Sequence, residues 1–118
     1  LGRAVVQHIN FNSLGFQIIG LFDQKESLIG QMVKHLPIRN VSVIDEFCRE
    51  NRPEVAILCI PKSASKPITE QLIKLGIKGF WNFSHYDIAL NHPKIIVENF
   101  HFSDSLMTLS YKMDKLGK

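Results

Sequence analysis

No stretch of this chain approaches the roughly 20 consecutive apolar residues that a membrane-spanning helix needs, so no transmembrane segment is expected. The first residues lack the basic and then apolar layout of a secretory signal. Cysteine is scarce: Cys48 and Cys59 are the only two among 118 residues. Cys59 falls in an apolar strand pattern. Cys48 falls on a helix pattern, in register with Ile44 and Phe47. They are not expected to pair, and two lone thiols point to a reducing cytosol, hence a cytoplasmic protein. The excess of positive charge is only +3, from 14 Lys and Arg against 11 Asp and Glu. It is scattered over helix faces and turns, which argues against a nucleic-acid surface on this stretch. The five histidines, His8, His35, His85, His92 and His101, show no spacing typical of metal ligands. No Ser/His/Asp or Cys/His arrangement stands out, and no lysine or carboxylate is singled out as the acid or base of a hydride step. The expectation is a non-enzyme without a metal. A thiol among apolar neighbours has a raised pKa, so Cys59 reads as core rather than as a redox group.

What is present is an alternation of apolar runs and amphipathic patterns. Leu1-Gly2-Arg3-Ala4 has the form of the end of a glycine-rich phosphate loop, and a helix pattern follows it to about Phe11, with Ala4, Val5 and Ile9 inward. Asn12-Ser13-Leu14-Gly15 is a turn. Residues 16–22 form a nearly continuous apolar run ending on Phe22-Asp23, the mark of a strand buried on both faces. In a dinucleotide-binding βαβ unit, the third glycine of G-x-G-x-x-G opens the first helix. An acidic residue about 20 positions later holds the ribose hydroxyls. Gly2 and Asp23 fit that spacing. A turn-capping role for Asp23 is the plainer alternative.

Residues 24–34 suit a short helix or loop rather than a strand. Leu36-Pro37-Ile38 is a short extended piece, with Pro37 pointing to an edge or a strand start. Ser42 is expected to cap a helix with Ile44, Phe47 and Cys48 inward and Asp45 and Glu46 in its first turn, where the dipole favours acids. Asn51-Arg52-Pro53 stops it. Residues 54–61 form a second buried strand that Pro61 terminates. Ser63 or Ser65 opens the next helix, with Pro67 in its first turn, an apolar face of Ile68, Leu72, Ile73 and Leu75, and Gly76 just past its end. Residues 79–83 and 94–99 are strands separated by a polar loop. Ser103 begins a last helix with Leu106, Leu109 and Met113 on one side.

This order gives an α/β fold, a doubly wound and mainly parallel sheet with helices on both faces. Residues 1–118 are read as one dinucleotide-binding and dimerisation domain. The first strand of such a sheet is missing from this sequence. Without it, the strands ending at Phe22 and Ile60 would each expose an unpaired edge, so the natural protein is expected to extend N-terminal of Leu1.

Several blocks together carry a resemblance. Leu1-Gly2-Arg3-Ala4, Phe22-Asp23, Ala56-Ile57-Leu58-Cys59-Ile60-Pro61, Leu75-Gly76-Ile77-Lys78-Gly79-Phe80-Trp81-Asn82-Phe83, Val97-Glu98-Asn99 and Leu109-Ser110-Tyr111 resemble, in order and spacing, the Rex family of redox-sensing transcriptional repressors. The resemblance implies a Rossmann-like domain that binds NADH and NAD and forms a homodimer. The C-terminal helix, residues 103–116, would be exchanged between subunits. A separate N-terminal winged-helix domain would bind operator DNA, and NADH would release it. It also implies the cofactor-binding residues. Leu1, Gly2 and Arg3 would lie at the pyrophosphate, Phe22 and Asp23 at the adenosine ribose, Ile60 and Pro61 at the carboxyl edge of a central strand, and Asn82 and Phe83 on the nicotinamide side. Asp23 implies NAD over NADP, since a 2′-phosphate would repel it. His101 stands where the family pattern carries an aspartate. Two other functions remain open at this point. One is the CoA-binding domain of an acyl-CoA ligase, which has a similar strand-Pro-helix-Gly-Ile-Lys-Gly progression. The other is the cofactor domain of an NAD-dependent dehydrogenase.

Overall fold

The computed structural model describes residues 2–100, 109 and 112–116. The chain divides into two compact units, with the boundary between Pro53 and Glu54.

The first unit opens with α1 (Gly2–His8), shorter than the sequence pattern predicts. Ala4 and Val5 are buried on it. A 3-10 turn over Asn12–Leu14 ends on Gly15, whose φ of 85° is the left-handed conformation glycine adopts without strain. The unit's sheet has the order β1 (Leu21–Asp23), β3 (Leu36–Asn40), β2 (Met32–Val33). β1 runs parallel to β3, with Leu21 opposite Ile38 and Asp23 opposite Asn40. β2 runs antiparallel to β3.

Two expectations are corrected here. The apolar run 16–22 is not a long strand buried on both faces. Phe16 and Ile19 are exposed, and only its last two residues join β1. Continued backwards, the register would place Gly20 opposite Pro37, which has no N–H to donate. The backbone groups of Ile38 are also engaged elsewhere, its N–H with Gln31 O and its carbonyl with Gly30 N–H. Residues 24–34 also contain a strand after all. β2 turns into β3 through Lys34 and His35, at φ 48° and 71°, the positive-φ pair of a tight hairpin turn. Pro37 thus sits near the start of β3, as expected, but β3 is the central strand.

Asn40, not Ser42, makes the cap before the next helix. Its side chain accepts the Ser42 N–H at 2.9 Å, and a 3-10 turn over Val41–Val43 leads into α2 (Ile44–Asn51). Ile44 and Cys48 are buried on α2 as the pattern predicts. Arg52 ends the helix in a left-handed conformation.

The second unit holds a parallel sheet in the order β4 (Val55–Leu58), β5 (Gly79–Asn82), β6 (Ile96–Asn99). Ala56 lies opposite Phe80, Phe80 opposite Val97, and Asn82 opposite both Leu58 and Asn99. Between β4 and β5 runs α3 (Lys62–Lys74). It begins at Lys62, so Pro67 lies beyond the first turn, and its buried line is Ser65, Thr69 and Leu72. Its C-terminus closes as expected on Gly76, at φ 102°. Gly76 N–H donates to Ile73 O and Ile77 N–H to Leu72 O. This paired closure buries Leu72 and Ile77. The polar loop before β6 carries a short helix, α4 (Ile88–Asn91). Asp87 caps it by accepting Leu90 N–H at 3.0 Å, and Ile88 is fully buried.

The resulting fold is a mixed α/β, Rossmann-like chain with parallel strands. The two sheets end on β1 and on β4, the strands the sequence expects to carry unpaired edges. Leu109, Met113 and Leu116 are exposed. Leu106, and the start of the expected C-terminal helix at Ser103, lie outside the described residues. No helix among the described residues is long and apolar enough to cross a membrane.

Candidate dinucleotide site

In parallel sheets, ligands bind beyond the carboxyl ends of the strands. Those ends carry most of the residues the sequence singles out. In the first unit the end of β1 presents Asp23. Its Oδ1 accepts the Lys25 N–H at 2.9 Å, which fixes the carboxylate in a turn-capping geometry. Its Oδ2 has no hydrogen-bond partner among the described residues. Both readings of Asp23 are thus compatible: one oxygen orients the group and the other can accept a hydroxyl.

Phe22 is directed differently. Its ring packs edge-on against Phe47 of α2, with centroids 5.1 Å apart, and the Arg39 guanidinium lies 5.5 Å over the Phe47 ring. Phe22 therefore takes part in holding α2 on the sheet through ring packing, while Arg39 adds a cation–π contact to the same Phe47. Gly2 is the first residue of α1 and Arg3 the second. Arg3 Nη2 donates to Gln31 Oε1 at 2.5 Å, and Gln31 Nε2 donates to Ser27 O at 2.7 Å. Arg3 is thereby tied to the segment that follows Asp23. Leu1 lies outside the described residues.

In the second unit the three strand ends are joined by main-chain bonds. Phe83 N–H donates to Leu58 O, and Phe100 N–H donates to Asn82 O. Ile60 is half-buried. Pro61 is exposed, and its carbonyl accepts from Ala64 N–H and from Ser65 Oγ at 3.0 Å each. Asn82 is 2% exposed, and its amide is fully occupied. Nδ2 donates to Tyr86 O at 2.7 Å and to Asn99 Oδ1 at 3.0 Å. Oδ1 accepts Ser84 N–H at 2.9 Å and Ser84 Oγ at 2.6 Å. These four bonds use the whole capacity of the group. Phe83 is buried and stacks on Phe100, centroids 4.7 Å apart and planes 24° apart, and Trp81 lies tilted 4.9 Å from Phe83. The chain thus gathers an aromatic cluster at the carboxyl ends of β5 and β6. Sequence reasoning did not single out Ser84, Tyr86, Asn99 or Phe100 as parts of one network, since the β5–β6 register and the loop that folds back after Phe83 bring them together.

The thiols are unsuited to chemistry. Burial pushes Cys59 up from 9.0 to about 11, and burial foremost, helped by Asp45, raises Cys48. Both are free. Among the described residues, no group of three His, Cys, Asp or Glu side chains could hold a metal ion.

The model of the CoA-binding domain family matches residues 1–86. The redox-sensing transcriptional repressor Rex of Caldanaerobacter subterraneus subsp. tengcongensis is 37% identical over 115 residues, which is 98% of this chain and 51% of the relative. The repressor of the same name from Clostridioides difficile is 38% identical over 119 residues, 100% of this chain and 55% of the relative. Among solved structures, that of RSP in complex with β-NADH matches with a TM-score of 0.80 and 33% identity, over 98% of this chain and 56% of RSP. RSP in complex with β-NAD+ and operator DNA matches with a TM-score of 0.78 at 33% identity, over 98% and 53%. The chain spans about half the length of the curated relatives it matches.

Proposed function

The chain belongs to the CoA-binding domain family, and we propose that it is of the Rex kind, the NAD(H)-sensing domain of a redox-responsive, DNA-binding transcriptional repressor. The observation that carries this reading is the likeness to RSP, a Rex-family repressor captured with NADH and with NAD+ and operator DNA, over nearly the whole chain. The chemistry of the strand ends is compatible with it. Asp23 has one oriented carboxylate with an unengaged oxygen, which suits the vicinal hydroxyls of an adenosine ribose. The same carboxylate would repel a phosphate on that ribose, which favours NAD(H) over its 2′-phosphorylated form. Gly2 and Arg3 would serve the pyrophosphate, with Arg3 offering its remaining N–H groups. Ile60, Pro61 and Phe83 would line the nicotinamide end. Phe22 and Asn82 would contribute by shaping the site, since their side chains are engaged within the protein.

In this reading residues 1–118 are the sensing and dimerisation domain of a cytoplasmic protein that is not an enzyme. Operator DNA would be bound by a part of the protein outside this chain, and NADH would release it by favouring one of two arrangements of a homodimer. Leu109, Met113 and Leu116 belong to the segment that would make the dimer contact.

Calorimetric titration of the full-length protein with NADH, NAD+ and CoA tests the proposal. NADH should bind more tightly than NAD+. Asp23→Ala should weaken both by about tenfold or more, the usual cost of a charged hydrogen bond. Absence of binding by either nicotinamide nucleotide sinks it. The family match favours one second reading, a CoA site, and CoA binding in place of NADH would establish that reading.

A further inference from the structure

We propose that Asn82 and Asn99 form a positioning pair that sets the Phe83–Phe100 stack as the platform for the flat-ring end of the dinucleotide, without either asparagine touching the ligand. The inference rests on the NAD(H) reading above. The two asparagines lie directly opposite each other at the last paired position of β5 and β6. Their side chains are bonded, Asn82 Nδ2 to Asn99 Oδ1 at 3.0 Å. The next residue of each strand is an aromatic one, and these two rings are stacked with centroids 4.7 Å apart. The side-chain bond therefore lies one residue beneath the stack and fixes the spacing of the two strand ends that carry it.

The same amide controls the way out of β5. Its other N–H holds Tyr86 O, and its oxygen holds both donors of Ser84. Ser84 Oγ in turn accepts Tyr86 N–H at 3.3 Å. Residues 83–86 are thus folded around a single buried group. The pairing has a fixed polarity: Tyr86 O and Asn99 Oδ1 are acceptors, so position 82 must present two donors to them, and position 99 need only accept. Asn82 is buried while Asn99 is exposed. Position 99 can therefore be changed with little effect on folding, which makes it the place to test the idea.

NADH and ADP-ribose separate the two ends of the site, because ADP-ribose keeps the adenosine, the pyrophosphate and the second ribose but lacks the nicotinamide. In the full-length protein, Asn99→Ala should weaken NADH about fivefold or more and leave ADP-ribose within about twofold, since only the ring end loses its placement. Asn99→Asp keeps the acceptor and should restore NADH binding to near the parent level. Melting curves of both variants should stay close to the parent. Unchanged NADH binding in Asn99→Ala, an equal loss of both ligands, or a failure of Asn99→Asp to rescue would each overturn the pairing role. A parent protein that binds neither ligand would instead bring down the NAD(H) reading, and this inference with it.

Discussion

A methyl group added at Gly20 would sit 2.7 Å from Phe47 Cζ and 3.0 Å from both Phe47 Cε1 and Phe22 Cε2. Two rings therefore crowd the space a side chain would occupy. They are the rings that hold α2 to β1, so neither can retreat without loosening that contact. Gly20→Ala should cost about 1–3 kcal/mol through overpacking, read as a lower urea midpoint with an unchanged slope. An unchanged midpoint would show that the Phe22–Phe47 pair is free to shift. Individual residues differed in how legible they were. Asp23 stands out in the sequence because a carboxylate at a fixed distance from a helix-opening glycine is a local pattern, and the structure puts it at the end of β1. The engagement of Phe22 does not, because its partner Phe47 lies on another element. Asn82 was readable as a residue at a strand end, but its saturated amide follows from the β5–β6 register and from a loop that doubles back to Tyr86.

Among the elements, the second half of the chain was the more legible. β4, β5 and β6 are short apolar runs, and α3 ends on a glycine that closes it as the sequence implies. The first half hid a hairpin. Tight two-residue turns with positive φ at both central positions normally announce themselves with Asn-Gly or Asp-Gly. Here Lys34 and His35 take those positions, so the turn carries no signal and the pattern of residues 24–34 is that of a helix or loop. The left-handed conformation costs a residue with a Cβ roughly 1–2 kcal/mol. Replacing His35 by glycine should therefore raise stability by about 1 kcal/mol, less the entropy glycine adds to the unfolded chain. Thermal melts of His35→Gly check this, and a clear fall in midpoint would show that the imidazole contributes more than its backbone costs. The overlong reading of residues 16–22 has a similar origin. Apolarity marks burial or an interface, but the ladder is set by the partner strand, and β3 brings a proline to the position where pairing stops.

For the molecule as a whole, the apolar residues that remain exposed are as informative as the buried ones. Leu109, Met113 and Leu116 are 55%, 58% and 81% exposed, and their spacings of four and three residues are those of one face in a helical sequence pattern. A surface of that kind is what a partner subunit would cover. On the homodimer reading proposed above, the double substitution Leu109→Lys, Met113→Lys should move the full-length protein from dimer towards monomer in sedimentation velocity, and a dimer that persists would place the subunit contact elsewhere. The α/β class was legible because the strand and helix periodicities alternate along the chain. The division into two sheets was not, since it depends on which strands find a neighbour. The pairings also differ in how far apart in the chain their partners lie. Among the described residues, β2 with β3 is the one ladder closed by a two-residue turn. Each of the others joins strands separated by a crossover or a whole helix. A hairpin closes in about 1–10 μs, whereas pairings distant in sequence must first meet the entropy of a longer loop. The Lys34–His35 turn is thus the point where ordering of the first sheet has least to wait for, and the central strand it delivers is the template on which β1 must later dock.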